Sequence, residues 1–380
     1  MTYRPKTFTS LVGDIRFERG YYHCGHCGHG QFPWDASLHL SGQRSTPAAQ
    51  EVIALAGISS SFTTVAEKAL WKLSGIRRSE SAVQRSTEEA GRRLGEALDA
   101  GTVFGPSCEW KWHRDLTGQT CAYISVDATG ILMQGPHGAK ADGRMVNVGM
   151  VYNPQPRAIA DDAIAKPCEE VRYLAGLYTL EQLGEQLRRQ AGQVGMDKVD
   201  QWIALSDAGS GLEHFFDVHF PRAVKIVDFR HATEHLTPLA KLLATGEATG
   251  EATGEATGEA ADALVSDWCH RLKREGGASV LAVLKELNRE VMDAPTQVAY
   301  DDARTYFGNH FERMKYPEYL AKGWQIGSGS VESACKNVVN QRLSMGGMRW
   351  GEEGGDAVAH LRALFRGESG QWDAFWSLAT

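Results

Sequence analysis

Two short apolar runs in this chain each end on an aspartate, and this feature constrains the fold more than any other. The runs are Tyr123-Ile124-Ser125-Val126-Asp127 and Trp202-Ile203-Ala204-Leu205-Ser206-Asp207. Nearly unbroken apolar segments of this length, rich in aromatic and branched residues, read as buried strands. A carboxylate at the C-terminal end of such a strand stands at the sheet edge where open α/β folds place their sites. Ala128-Thr129-Gly130 follows the first aspartate and Ala208-Gly209-Ser210-Gly211 the second, and such small residues leave room for a bulky ligand.

The surrounding pattern builds a sheet around these two strands. Met145–Tyr152, Val171–Leu177 and Ala223–Asp228 are further strands, while Thr179–Ala191 carries Leu180, Leu183 and Leu187 on one helical stripe. The order β-β-β-α-β-α-β predicts an α/β fold, a mixed sheet covered by helices. This core spans 106–231 and closes in 324–380. Residues 232–323 read as a helical insertion. Inside it Ala-Thr-Gly-Glu is repeated four times from Ala244 to Glu259. Its glycines and like charges predict a surface loop over 244–260 without helix or strand. In the closing segment a helix is expected from Val331 towards Leu343, with Ser330 as N-cap and Glu332 in its first turn.

Residues 1–40 predict short strands, with a hairpin turn at Gly13-Asp14, followed by Cys24-Gly25-His26-Cys27-Gly28. That spacing is half of a tetrahedral zinc set, and the other cysteines are isolated. His23, His26, His29 and His39 are the remaining nearby donors. Residues 41–105 read as three helices, the third starting at a capping box, Ser81 to Gln84. Two helices joined by a short turn at Gly75 fit either a helix-turn-helix, with Arg77, Arg78 and Arg85 at its tip facing DNA, or a plain small bundle.

The 380 residues include 42% hydrophobic and 23% charged positions, enough to bury a sizeable core, and no apolar run approaches a membrane span. With no apolar leader at Met1 and an unpaired set of 7 cysteines, a reducing, cytoplasmic location is expected. The net charge of −7 speaks against a nucleic-acid partner, although acidic metal ligands lower the sum.

Asp127, Asp207 and Glu332 converging on a point would repel one another unless cations neutralised them. Mg²⁺ or Mn²⁺ suits such oxygen ligands, and two ions about 3.5–4 Å apart can stabilise both oxygens of an in-line phosphoryl displacement.

With these residues in place, the chain resembles bacterial insertion-sequence transposases of the DDE type, closest to the Kra-type family and akin to Mutator-like transposases. The resemblance is carried by Tyr21–Pro33, Val126–Gly130, Ser206–Gly209, Asp228-Phe229-Arg230-His231 and Gly327–Lys336. It implies an RNase H-like fold and Asp127, Asp207 and Glu332 as a catalytic triad holding two Mg²⁺ or Mn²⁺ ions. It further implies cleavage and strand transfer on double-stranded DNA with terminal inverted repeats, by a homodimer or larger assembly. The separation of 125 positions from Asp207 to Glu332 agrees with a helical insertion. Asp228 and His231 match an Asp-x-x-His motif, which would orient a ligand, contact DNA or form a structural Asp–His bond. Trp324, eight residues before Glu332, matches a tryptophan that stacks on a DNA base in relatives, the alternative being a buried indole. Lys336, one turn after Glu332, would hold a phosphate or pair with that glutamate. With Arg342 and Arg349 it makes 322–350 locally basic and DNA-facing. The resemblance also implies a first cysteine pair upstream of Cys24 and Cys27, so the chain is expected to be shortened at its N-terminus. The incomplete zinc site and the repeat keep two other readings open: an inactivated transposase that only binds DNA, and an RNase H-like nuclease of another purpose.

Overall fold

The apolar runs pair into a six-stranded mixed sheet. The structure, a computed structural model, describes residues 1–37, 44–154, 170–247 and 254–378. An N-terminal hairpin of β1 (Thr2–Ser10) and β2 (Gly13–His23) adds the two-residue β3 (Gly30–Gln31) to form a small three-stranded sheet. The large sheet comprises β4 (His113–Arg114), β5 (Thr120–Ile131), β6 (Arg144–Tyr152), β7 (Val171–Gly176), β8 (Gln201–Ser206) and β9 (Ala223–Val227). Its order is β7-β6-β5-β8-β9, with β4 paired to β5. The β5-β6 and β6-β7 pairs are antiparallel, whereas β5-β8 and β8-β9 are parallel. The expected mixed α/β architecture and its five strands are therefore present, and β4 is an addition that was not expected.

Several local expectations need correction. The N-terminal turn is Leu11-Val12, two residues earlier than expected. Gly13 takes φ 107°, and the Ser10 hydroxyl closes the turn by donating to the Gly13 carbonyl at 2.6 Å. The expected capping box at Ser81 does not form: the helix starts at Glu80, and Ser79 at its N-cap makes no side-chain capping bond. Strand β5 does not end on Asp127 but runs on to Ile131, because pairing with β6 continues as far as Ile131 opposite Arg144.

The repeat corrects a stronger expectation. The helix Phe229–Glu247 enters its first unit and the helix Gly254–Glu275 emerges from its third. Ala244, the first repeat residue, is buried. Apolar residues before and after the repeat, including Leu236, Leu239, Trp268 and Leu272, pack into the main core and carry helix into flanks that composition alone disfavours. Residues 248–253, like His39 and Cys168, lie outside the described residues.

The helix Glu80–Asp99 joins two cores. Val83 belongs to a small cluster with Ile53, Val65 and Leu70, whereas Ala90, Leu94 and Leu98 belong to the main cluster around the sheet. Close contact with the helix Glu352–Arg366 is possible because Gly91 has no side chain: a Cβ there would stand 2.2 Å from the Ala357 carbonyl oxygen. Among the described residues no helix is long and apolar enough to cross a membrane.

Candidate active site

Strand register brings the two aspartates together. The parallel β5-β8 pairing sets Ser125 opposite Leu205. Two residues on, on the same face of the pleat, come Asp127 and Asp207. Glu332 reaches the same place from the first turn of the helix Gly329–Ala334. All three acids line one cleft of about 220 Å³, together with Arg230, His231, Glu234 and Ser328.

Each acid is oriented by its own donor. An oxygen of Asp127 accepts the Ala128 amide at 2.7 Å, and the other receives the thiol of buried Cys335 at 3.5 Å. Asp207 accepts the Gly209 amide at 2.8 Å. Between them Ala208 takes φ 64°, a left-handed conformation that a non-glycine residue adopts only under constraint. Part of that constraint comes from Tyr306 in the insertion, whose hydroxyl donates to the Asp207 carbonyl at 3.2 Å. The Tyr306 ring stacks on His235 at 3.7 Å, and burial pushes its hydroxyl far up, so it remains a donor. Ser328 Oγ donates to Glu332 Oε1 at 3.2 Å.

Asp228 lies beneath the cleft and is 1% exposed. Its amide donates to the Ser206 carbonyl at 2.8 Å. One carboxylate oxygen accepts the His231 amide at 2.5 Å, and the other accepts the Ser328 amide. The expected Asp–His bond is thus made to the His231 backbone and not to its ring. This carboxylate ties the end of β9, the start of the Phe229 helix and the entrance to the Glu332 helix into one joint. The His231 ring faces the cleft, with Nδ1 3.4 Å from Glu234.

The electrostatics are those of crowded anions. Burial first, then the charges of Asp207 and Glu332, raise the Asp127 carboxyl above its ordinary range, against the lowering effect of the Ala128 amide and the Cys335 thiol. A divalent cation would reverse the repulsive part, and three carboxylates are the hard oxygen donors that Mg²⁺ or Mn²⁺ takes. The donor set therefore fits such ions. Among the described residues no three acidic, histidine or cysteine side chains are already gathered closely enough to hold a metal ion; the three acids share the lining of one cleft.

The cysteine pair offers less. Cys24 and Cys27 are exposed in the turn between β2 and β3, closed by Gly28 N donating to Cys24 O at 2.9 Å. Backbone amides of Cys27 and His26 and the Cys27 thiol lower the Cys24 pKa. Yet no third ligand stands with them among the described residues. Two donors do not complete a tetrahedral zinc site.

Of the basic and aromatic residues considered for DNA contact, some are buried: Trp324 takes the buried alternative, and Arg342 is buried against expectation. Trp324 is 3% exposed, its Nε1 donates to Asp115 at 2.9 Å and its ring stacks on Tyr319. A buried indole needs a partner for its N–H, and one held this way offers no face to a base. Arg342 is fully buried: Nε donates to the Gly57 carbonyl at 2.9 Å, and the guanidinium packs on Phe62 and Trp350. It caps the C-terminal end of the helix Pro47–Ser59, where exposed carbonyls favour a cation. Arg349 is half-buried, donating to the Met133 carbonyl at 3.3 Å. Lys336 is exposed and makes no ion pair with Glu332 among the described residues. The helix turns π-helical over Cys335–Asn340, which breaks the four-residue spacing, and Glu332 faces Arg230 instead. Arg78 is tied to the Arg44 carbonyl and Ser45 hydroxyl at 2.9 and 2.8 Å. Arg77, lying over Trp71, and Arg85 are exposed.

Compared with known proteins, the chain matches no family model and no curated sequence. The site thus rests on its own geometry. That geometry adds Arg230, Glu234, Ser328, Cys335 and Tyr306, none of which the sequence reading assigned to it. Arg230 and Glu234 carried a legible signal, since their helical spacing places both on the face of the Asp228–His231 turn. Tyr306, 99 residues from Asp207, carried none.

Proposed function

We propose that this chain is a metal-dependent DNA transposase of the DDE type, built on an RNase H-like core, that cleaves and joins strands at the ends of an insertion sequence. The observation that carries this reading is the meeting of Asp127, Asp207 and Glu332 in one cleft, from two adjacent parallel strands and a helix far along the chain. The strand order, with β6 and β7 antiparallel on one side of β5 and β8 and β9 parallel on the other, supports the RNase H-like reading. The helical stretch between Asp207 and Glu332 supports the transposase reading.

Asp127, Asp207 and Glu332 would hold the ions. Bound there, divalent cations would supply the charge stabilisation that an in-line displacement at a phosphodiester needs. The protein's own contribution is preorganisation. The Ala128 amide and Cys335 thiol fix Asp127, the Gly209 amide fixes Asp207, and Ser328 orients Glu332. The neutral Cys335 thiol, pushed far up by burial and by Asp127, donates without adding charge. No side-chain nucleophile is required, because water or a DNA 3′-hydroxyl attacks.

The test is Mn²⁺-dependent cleavage of labelled duplexes copied from the DNA flanking the coding frame, by the full chain and by Asp127→Asn. The expected result is cutting at terminal inverted repeats by the parent chain and loss of cutting, with DNA binding kept, in the variant. Cutting that ignores the repeats would favour a nuclease of another purpose. DNA binding without cutting by the parent chain would favour an inactivated transposase. Retained cleavage in Asp127→Asn would overturn the assignment of the site.

A further inference from the structure

Arg230 is the one cation lining the cleft among the described residues, and its placement runs against local electrostatics. It sits in the first turn of the helix Phe229–Glu247, a turn with no acidic residue. A helix N-terminus carries partial positive charge, so a cation there is disfavoured and an anion welcome. The backbone beneath it is pinned: Phe229 N donates to the Ile326 carbonyl at 2.8 Å, and the His231 amide to Asp228. The side chain, in contrast, is mostly exposed and held only by long pairs, Nη1 to Glu332 at 3.5 Å and Nε to Glu234 at 3.5 Å. Glu332 is one of the three acids proposed to take divalent cations. An ion arriving there competes directly with the guanidinium and releases it from a fixed base at the rim of the cleft. A guanidinium freed beside a helix N-terminus matches a phosphate, which it grips through two parallel N–H bonds.

We propose that Arg230 is a phosphodiester-binding residue, parked on Glu332 and Glu234 in the metal-free chain and transferred to the nucleic-acid strand when divalent cations occupy the carboxylates. This rests on the reading of the cleft given above. It demands two effects of opposite sign from one substitution. Without DNA, Arg230→Ala removes a competitor of the metal. Exposed ion pairs are weak, so Mn²⁺ binding to the full chain tightens by roughly two- to fivefold. With DNA, the same variant loses a charge-assisted contact, and KM for a labelled duplex rises about tenfold or more, while kcat falls by a smaller factor. Arg230→Lys keeps the charge without the fork, so it holds Mn²⁺ near the parent affinity and recovers only part of the KM. Should Arg230→Ala fail to fold, Arg230→Gln carries the same two readouts.

Tighter Mn²⁺ binding together with a raised KM supports the exchange, and either effect without the other overturns it. Asp127→Asn separates this failure from a deeper one. If Asp127→Asn abolishes Mn²⁺ binding while Arg230→Ala changes nothing, only the exchange is lost. If the parent chain binds no Mn²⁺, or Asp127→Asn binds it as well as the parent, the reading of the cleft falls and Arg230 with it.

Discussion

Like charges crowd together both in the cleft and in the interior, and the fold treats the two groups in opposite ways. In the cleft, Asp127, Asp207 and Glu332 face one another across open space. In the interior, Arg342 and Arg362 are both buried, and burial first, then the charges of Arg366 and Arg342, lower the Arg362 pKa. The arginines are hydrogen-bonded by the protein's own backbone carbonyls. Arg342 reaches the Gly57 carbonyl, and Arg362 reaches the Ile58 carbonyl at 2.5 Å and those of Val338 and Asn337. Together they close the end of the helix Pro47–Ser59 and bind it to the segment that follows Glu332. Burial nonetheless lowers both guanidinium pKa values to about 10. The acids have orienting donors, yet apart from Arg230 no cation of the described residues lines their cleft. Charges that serve the fold are sealed with internal partners; charges left open mark where something from outside is expected.

The contrast is broken most directly by Arg362→Ala. It strips three carbonyls of their partner in a buried setting and should cost about 3–5 kcal/mol, comparable to breaking a buried ion pair. Thermal or urea unfolding would measure it, and a loss below about 1 kcal/mol would mean the carbonyls find other partners. Next, Asp115→Ala leaves the buried Trp324 N–H unpaired and should cost about 1–3 kcal/mol in the same assay. Asp127→Asn, on the acidic side of the comparison, should do the opposite. Removing one of three mutually repelling charges leaves the metal-free melting temperature unchanged or raised by about 2 °C, and erases the rise on adding Mn²⁺. A clear drop in metal-free stability would show that the Asp127 carboxylate serves the fold.

The pH dependence sharpens the same point. The folded-state pKa of Asp127 is raised, mainly by burial and then by Asp207 and Glu332. Its contribution to metal-free stability is therefore present below its unfolded pKa and lost as pH rises through the folded value. A metal needs the ionised form. The melting-temperature gain from Mn²⁺ should thus grow from acidic pH towards neutrality, by the smallest margin of these effects. A gain independent of pH over that window would argue that Asp127 is not a ligand.

How much of this was legible beforehand follows from the range of the forces involved. Five strands of the main sheet were readable because each buries its own apolar run, whereas the two-residue β4, which has no such run, was not. The two aspartates were readable from their position after those runs. The fate of Arg342 was not, and for Trp324 burial was one of two readings while its partner was not legible. Whether a long basic or aromatic side chain is buried depends on a carbonyl or carboxylate far along the chain, Gly57 in one case and Asp115 in the other. The spacing of Lys336 from Glu332 misled because a π-helical turn intervenes, and such turns have no periodic signature. The tetrapeptide repeat misled in the other direction, since tertiary packing of its flanks overrode composition.

The carboxylate of Asp228 fastens the strand end of one half of the core to Ser328 across 100 residues of sequence. Everything between those two anchor points leaves and returns at a fixed joint. The tetrapeptide repeat falls between these anchors, whereas one residue added inside β5 or β8 would shift the register that sets Asp127 beside Asp207.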